Sequence, residues 1–127
     1  MSTDSLRPEL RWVIEAAQNK QAADVTLLDF AGLTAFTDFF LLCTGLSARQ
    51  GQAISDEIEE LLGRRGVRLS HREGYEAAEW VLLDYRDFIV HIFSARARQF
   101  YDLERLWRTA RRTDSPLPEA ASGAAES

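Results

Sequence analysis

The sequence predicts an α/β or α+β domain: a single mixed β-sheet of about five strands with helices packed on it. Three observations predict it. Two stretches place apolar residues at helical spacing, Leu10, Val13, Ile14 and Ala17, then Ile54, Ile58, Leu61 and Leu62. Several shorter runs are apolar or alternate with a period of two, as strands do. A helix separates the run ending near Thr44 from the later strands, which demands at least one parallel pairing, whereas the runs 79–84 and 87–93 are close enough to form an antiparallel hairpin.

The elements follow in order. Pro8 is suited to the first helical position, and the first apolar stripe carries the helix to about Gln21. Asp24 to Asp29 (DVTLLD) is a short strand, and Phe30 to Thr37 a connection through Gly32. Asp38 to Thr44 (DFFLLCT) is nearly continuous in apolar residues, as expected of a strand covered on both faces. Ser47 and Gln50 form a capping box for the second helix. Asp56, Glu57, Glu59 and Glu60 line its exposed side, Arg64 and Arg65 favour its C-terminal dipole, and Gly66 ends it. Val67 to Ser70 is expected as a brief strand, then the hairpin. Ser94 caps a last helix whose stripe is Phe100, Leu103, Leu106, Trp107 and Ala110. Residues 1–7 are expected to be flexible, 8–112 to form the domain, and 113–127 to be a disordered tail, too small and polar to offset its ordering entropy.

Composition narrows the function. At 127 residues and 46% hydrophobic, the chain has enough apolar surface for one core. No apolar run approaches the ~20 residues of a membrane span, and the N-terminus reads as neither signal nor transit peptide. The lone Cys43 cannot staple the fold, which suits a reducing cytoplasm, and it reads as a small buried hydrophobe. A net charge of -5 argues against broad, sequence-independent DNA binding and leaves room only for a local basic patch.

No catalytic constellation assembles. The Thr-Gly-Leu-Ser turn before the second helix lacks a GxxxxGK[ST] or GxGxxG pattern, and capping by Ser47 explains it. Nucleotidyl transfer needs two carboxylates alternating on a strand to hold divalent metal, whereas Asp56 to Glu60 fan out around a helix. His71 and His91 have no second ligand at metal spacing. No cofactor or metal is therefore expected. What remains is the hairpin segment EGYEAAEWVLLDYRDFIVHIF, Glu73 to Phe93. Alternation sets Trp80, Leu82 and Asp84 on one face and Val81 and Leu83 on the other. The set Trp80, Asp84, Tyr85, Asp87 and His91 reads as a recognition surface, because large aromatics beside carboxylates dominate interfaces. A structural Trp80 in the core, and turn-forming roles for Asp84 and Asp87, fit the pattern equally well.

That segment, followed by ARQFYDLERLW and preceded by DFFLLCTGLSARQGQAISDEIEELL, resembles the ribosomal silencing factor (Iojap-related) family over residues 8 to 110. The resemblance implies a non-enzymatic regulator that binds the large ribosomal subunit through its ribosomal protein number fourteen. By occupying that face it blocks joining of the small subunit and lowers translation when nutrients are short. It also implies a nucleotidyltransferase-like fold without the catalytic carboxylates, a capacity to form homodimers as family members do, and at most a minor contact with rRNA. The family's partner-binding block falls on Trp80, Leu82, Asp84 and Tyr85, with Gly74 and Tyr75 nearby. Family members commonly carry Gly where this chain has Arg86. If that position needs positive φ, a residue other than Gly costs ~1 kcal/mol there; otherwise Arg86 marks a different turn. Two alternatives stay open: a nucleotidyltransferase-like enzyme with a degenerate site, and a self-associating interaction module.

Overall fold

The computed structural model describes residues 7–29, 37–101 and 111–114, and the rest of the chain lies outside the described residues. The elements are α1 (Pro8–Asn19), β1 (Ala23–Asp29), β2 (Phe39–Gly45), α2 (Ala48–Arg64), β3 (His71–Glu73), β4 (Trp80–Asp84), β5 (Phe88–Ser94), α3 (Ala95–Tyr101) and β6 (Arg111–Asp114). They build one mixed sheet in the order β3-β4-β5-β2-β1-β6. The expected parallel pair is β2 with β5, in register from Phe39 opposite Phe88 to Gly45 opposite Ser94. All other neighbours are antiparallel.

Local chemistry sets the ends of α2. Ser47 Oγ accepts from the Gln50 N–H at 3.0 Å, and Gln50 Oε1 reaches back to the Leu46 N–H. At the other end Gly66 adopts φ +80°. The Gly66 N–H donates to Gly63 O and the Val67 N–H to Leu62 O, the paired bonds of a Schellman motif. This exit uses up residues the sequence offered as a strand. The brief strand expected at Val67–Ser70 is instead β3, His71–Glu73, and pairing is announced only by the Ser70 N–H bonded to Asp84 O.

A sixth strand joins the five expected. β6 pairs with β1 from Thr26 opposite Asp114 to Asp29 opposite Arg111. Thr113 and Asp114 therefore belong to the sheet, which moves the domain boundary past residue 112. RRTD shows no alternation because an edge strand is held by backbone hydrogen bonds that any residue except Pro can make. The helix expected from Ser94 begins as foreseen, with Ser94 Oγ accepting from the Ala97 N–H. Its stripe at Leu103, Leu106, Trp107 and Ala110, the connection 30–36 and the segments 1–6 and 115–127 fall outside the described residues.

The two faces of the sheet differ in chemistry. On one, α1 and α2 pack Leu10, Val13, Ile14, Ile54, Ile58 and Leu62 against Leu27, Leu41, Val81, Leu83, Val90 and Ile92. Each such side chain contributes roughly 1.5–3 kcal/mol by leaving water. The second face carries Leu28, Leu42 and Phe93, on which Ala97 of α3 packs, with Phe40 and Trp80 beside them. That face belongs to the aromatic rings.

The β4–β5 connection settles the question raised by Arg86. Its φ is +77°, the left-handed region where glycine is at home. The Asp87 N–H bonds to Tyr85 O and the Tyr85 N–H to Phe88 O, while Asp84 Oδ1 accepts from the Arg86 N–H at 2.8 Å. The turn thus keeps the backbone that glycine would adopt and bears the strain of a side chain. Arg86→Gly is expected to raise stability by about 1 kcal/mol, read as a shift in urea midpoint at unchanged slope. A fall in midpoint contradicts it.

Candidate functional site

The docking residues expected from sequence divide into two groups once the registers are known. Across β4 and β5, Trp80 lies opposite Phe93, Leu82 opposite His91 and Asp84 opposite Ile89. Across β5 and β2, Ile89 neighbours Phe40, and His91 neighbours Leu42. Trp80, Leu82, Asp84, Ile89, His91, Phe93 and Phe40 therefore share the face away from α1 and α2. Strand β3 extends it, with His71 opposite Asp84 and Glu73 opposite Leu82. Burial alternates along β4: Trp80, Leu82 and Asp84 are half-buried, and Val81 and Leu83 are fully buried beneath the helices.

Trp80 is anchored from below. Its indole N–H donates to His91 Nδ1 at 3.0 Å. Its ring lies 5.1 Å from Phe93, and the His91 ring lies 4.6 Å from Phe40. His91 is only 5% exposed. With Nδ1 accepting, the ring proton belongs on Nε2. Burial pushes the His91 pKa down to about 4, so the ring is neutral at pH 7. Between that value and the usual 6.5 the unfolded chain binds the extra proton, so this group's stabilisation is full above about pH 6.5. It is lost as pH falls toward 4, amounting to about 3 kcal/mol in all. In acid unfolding, His91→Phe is expected to show a shallower loss across that window than the parent chain. Parallel pH profiles would contradict it.

Tyr85 corrects the sequence expectation. It is 6% exposed and packs in the cluster beneath the helices, stacked on Phe88 at 5.0 Å. Its hydroxyl is buried without a hydrogen-bond partner among the described residues, and burial drives the phenol pKa well up. Tyr85 packs the hairpin against the core, on the opposite side of the sheet from Trp80, Leu82 and Asp84. His91 supports Trp80 from beneath rather than meeting solvent. Asp87 stands at the tip, exposed and paired with Arg7 at 3.2 Å.

Gly74 and Tyr75 also play a supporting part. Gly74 has φ +79°, and a Cβ there would overlap the Trp80 carbonyl oxygen. The loop after it is tied to α2. Gln52 Nε2 donates to the carbonyls of Tyr75 and Glu76, and the Tyr75 hydroxyl donates to Asp56 at 3.0 Å. Arg72 lies over the Tyr75 ring and pairs with Glu59 at 2.9 Å. The acidic residues of α2 thus each have a structural partner, with Asn19 donating to Glu57 and Arg64 paired with Glu60. Among the described residues, no three His, Cys, Asp or Glu side chains converge on a point that could hold a metal.

Alternation along β5 groups Ile89 with His91 and Phe93, but sequence reasoning missed Phe40, His71 and Glu73 as members of the face. For Phe40 the needed signal was the parallel β2–β5 register, which no local pattern specifies. For His71 and Glu73 it was the position of β3.

The family described as "Ribosomal silencing factor during starvation" matches residues 3–127. A ribosomal silencing factor of Halalkalibacterium halodurans is 40% identical over 101 residues, covering 80% of this chain and 86% of that protein. One from Bacillus subtilis is 38% identical over 114 residues, covering 90% and 92%. A crystal structure of a protein from Chromobacterium violaceum superposes with a TM-score of 0.75 at 34% identity, covering 78% of this chain and 82% of the other. With the match running nearly from end to end, the chain belongs to the ribosomal silencing factor family.

Proposed function

We propose that this chain is a cytoplasmic translational repressor that acts by obstruction, not by catalysis. Its ring-rich sheet face docks on the large ribosomal subunit at ribosomal protein number fourteen. The bulk of the domain then fills the space the small subunit needs. The observation that carries this reading is the grouping of Trp80, Leu82 and Asp84 side by side on a sheet face turned away from α1 and α2. A half-buried indole flanked by an aliphatic and a carboxylate matches the make-up of an interface centre, where a few large rings supply most of the energy. The carboxylate, and the net charge of -5, suit a basic ribosomal protein. The enzyme reading has no such support, because Asp56 and Glu59 are engaged by Tyr75 and Arg72 on either side of Gly74, and Glu57 and Glu60 by Asn19 and Arg64.

The test is a sucrose-gradient profile of purified subunits with and without the protein. Adding it in excess should convert joined ribosomes into free subunits, with the protein comigrating with the large one. Unchanged joining, or comigration with the small subunit, would overturn the proposal.

A further inference from the structure

We propose that His91 is a positioning residue for docking: by accepting the indole N–H at Nδ1, it fixes Trp80 in the orientation that the partner meets. The inference rests on the docking function proposed above. It begins from an imbalance within one side chain. His91 Nδ1 is engaged by Trp80 at 3.0 Å, but Nε2 is buried with no hydrogen-bond partner among the described residues. The surroundings are aromatic: Phe40 lies at 4.6 Å, and Phe93 at 6.0 Å is nearly parallel to the imidazole. A phenylalanine of similar shape would fill this place without the unmet imidazole N–H, a buried donor of the kind proteins generally avoid, but it would take the Nδ1 acceptor away from the Trp80 indole N–H. Histidine is therefore retained at a cost, and what it offers in return is the acceptor.

Geometry shows what the acceptor does. Trp80 stands opposite Phe93, and Leu82 opposite His91, so the indole reaches diagonally along the strand pair to the imidazole. The tilted contact with Phe93, at 42° between the rings, limits how far the indole can swing but does not by itself choose which edge faces inward. The hydrogen bond decides that, turning the N–H edge toward His91. A ring already held in its bound orientation loses less freedom on docking, which appears as tighter binding. Because His91 is 5% exposed, it exerts this effect through Trp80 and not by touching the partner.

Two substitutions in the full chain separate the roles. His91→Phe keeps the ring and its burial but removes the acceptor. His91→Asn sacrifices the ring but retains an amide oxygen near the place of Nδ1. Affinity for purified large subunits and the exchange rate of the Trp80 indole N–H are both measured. The indole resonance is identified by its absence in Trp80→Phe, and melting temperature controls for folding. His91→Phe is expected to weaken binding about tenfold and to speed indole exchange, with His91→Asn closer to the parent in both. Parent-like binding by folded His91→Phe would overturn the proposal. So would equal losses in both variants, which would assign His91 a packing role. If the parent chain itself fails to bind large subunits, the docking function has failed, and indole exchange alone decides: unaltered exchange in His91→Phe refutes the positioning role.

Discussion

Gly74→Ala is expected to lower the melting temperature by roughly 10 °C or more. Two costs combine at this position. The residue sits at φ +79°, where any side chain is strained, and the new methyl would be driven into the Trp80 carbonyl oxygen. The clashing atom is backbone, so no side chain can swing aside. Relief requires moving the loop off β4, which disturbs the Ala78 N–H to Gly74 O bond and the Glu73–Leu82 pairing beside it. A local strain of about 3 kcal/mol is the scale involved. Thermal unfolding followed by circular dichroism measures it. A shift below 3 °C would show that the loop relaxes freely, and would weaken the view that Gly74 braces the docking strand.

The second large effect concerns binding. Trp80→Ala is expected to reduce affinity for large ribosomal subunits by about 30-fold or more, the scale of a central aromatic anchor. Trp80 also packs on Phe93, so some stability will be lost with it, and a second substitution keeps the result interpretable. Leu82→Glu leaves the indole and its hydrogen bond to His91 in place, but puts a charge in the middle of the face. Leu82 is only half-buried and takes no part in the core beneath α1 and α2, so the fold should survive. Cosedimentation with large subunits is the measurement, with circular dichroism in parallel. Folded variants that both bind within threefold of the parent would remove this face from the interface.

Much of the site was legible because strands alternate. Period two along β4 was enough to put Trp80, Leu82 and Asp84 together, and along β5 to put His91 on the same side. The same rule, followed one residue further, sends Tyr85 to the side of Val81 and Leu83, where it is found buried. The aromatic character of Tyr85 outweighed its parity in the sequence reading. Depth was not legible. Nothing in the segment DFIVHIF says that His91 lies beneath a ring rather than beside one, since that depends on the diagonal reach from β4. Nor was β6 legible, because Arg111–Asp114 enters the sheet through its backbone alone. The helix caps were readable to the residue, since Ser47 and Gly66 act within one turn of chain.

Cys43 has a bearing on how such a factor survives harsh conditions. Its thiol lies on β2 under the helices, wholly buried, and burial raises its pKa to about 12. Only the thiolate is readily alkylated or oxidised. The native protein should therefore resist iodoacetamide until denatured, and the same holds for peroxide. Rapid labelling of the folded chain at neutral pH would contradict this. The sulfur of Cys43 thus stays out of reach of such reagents for as long as the sheet and its two helices hold together.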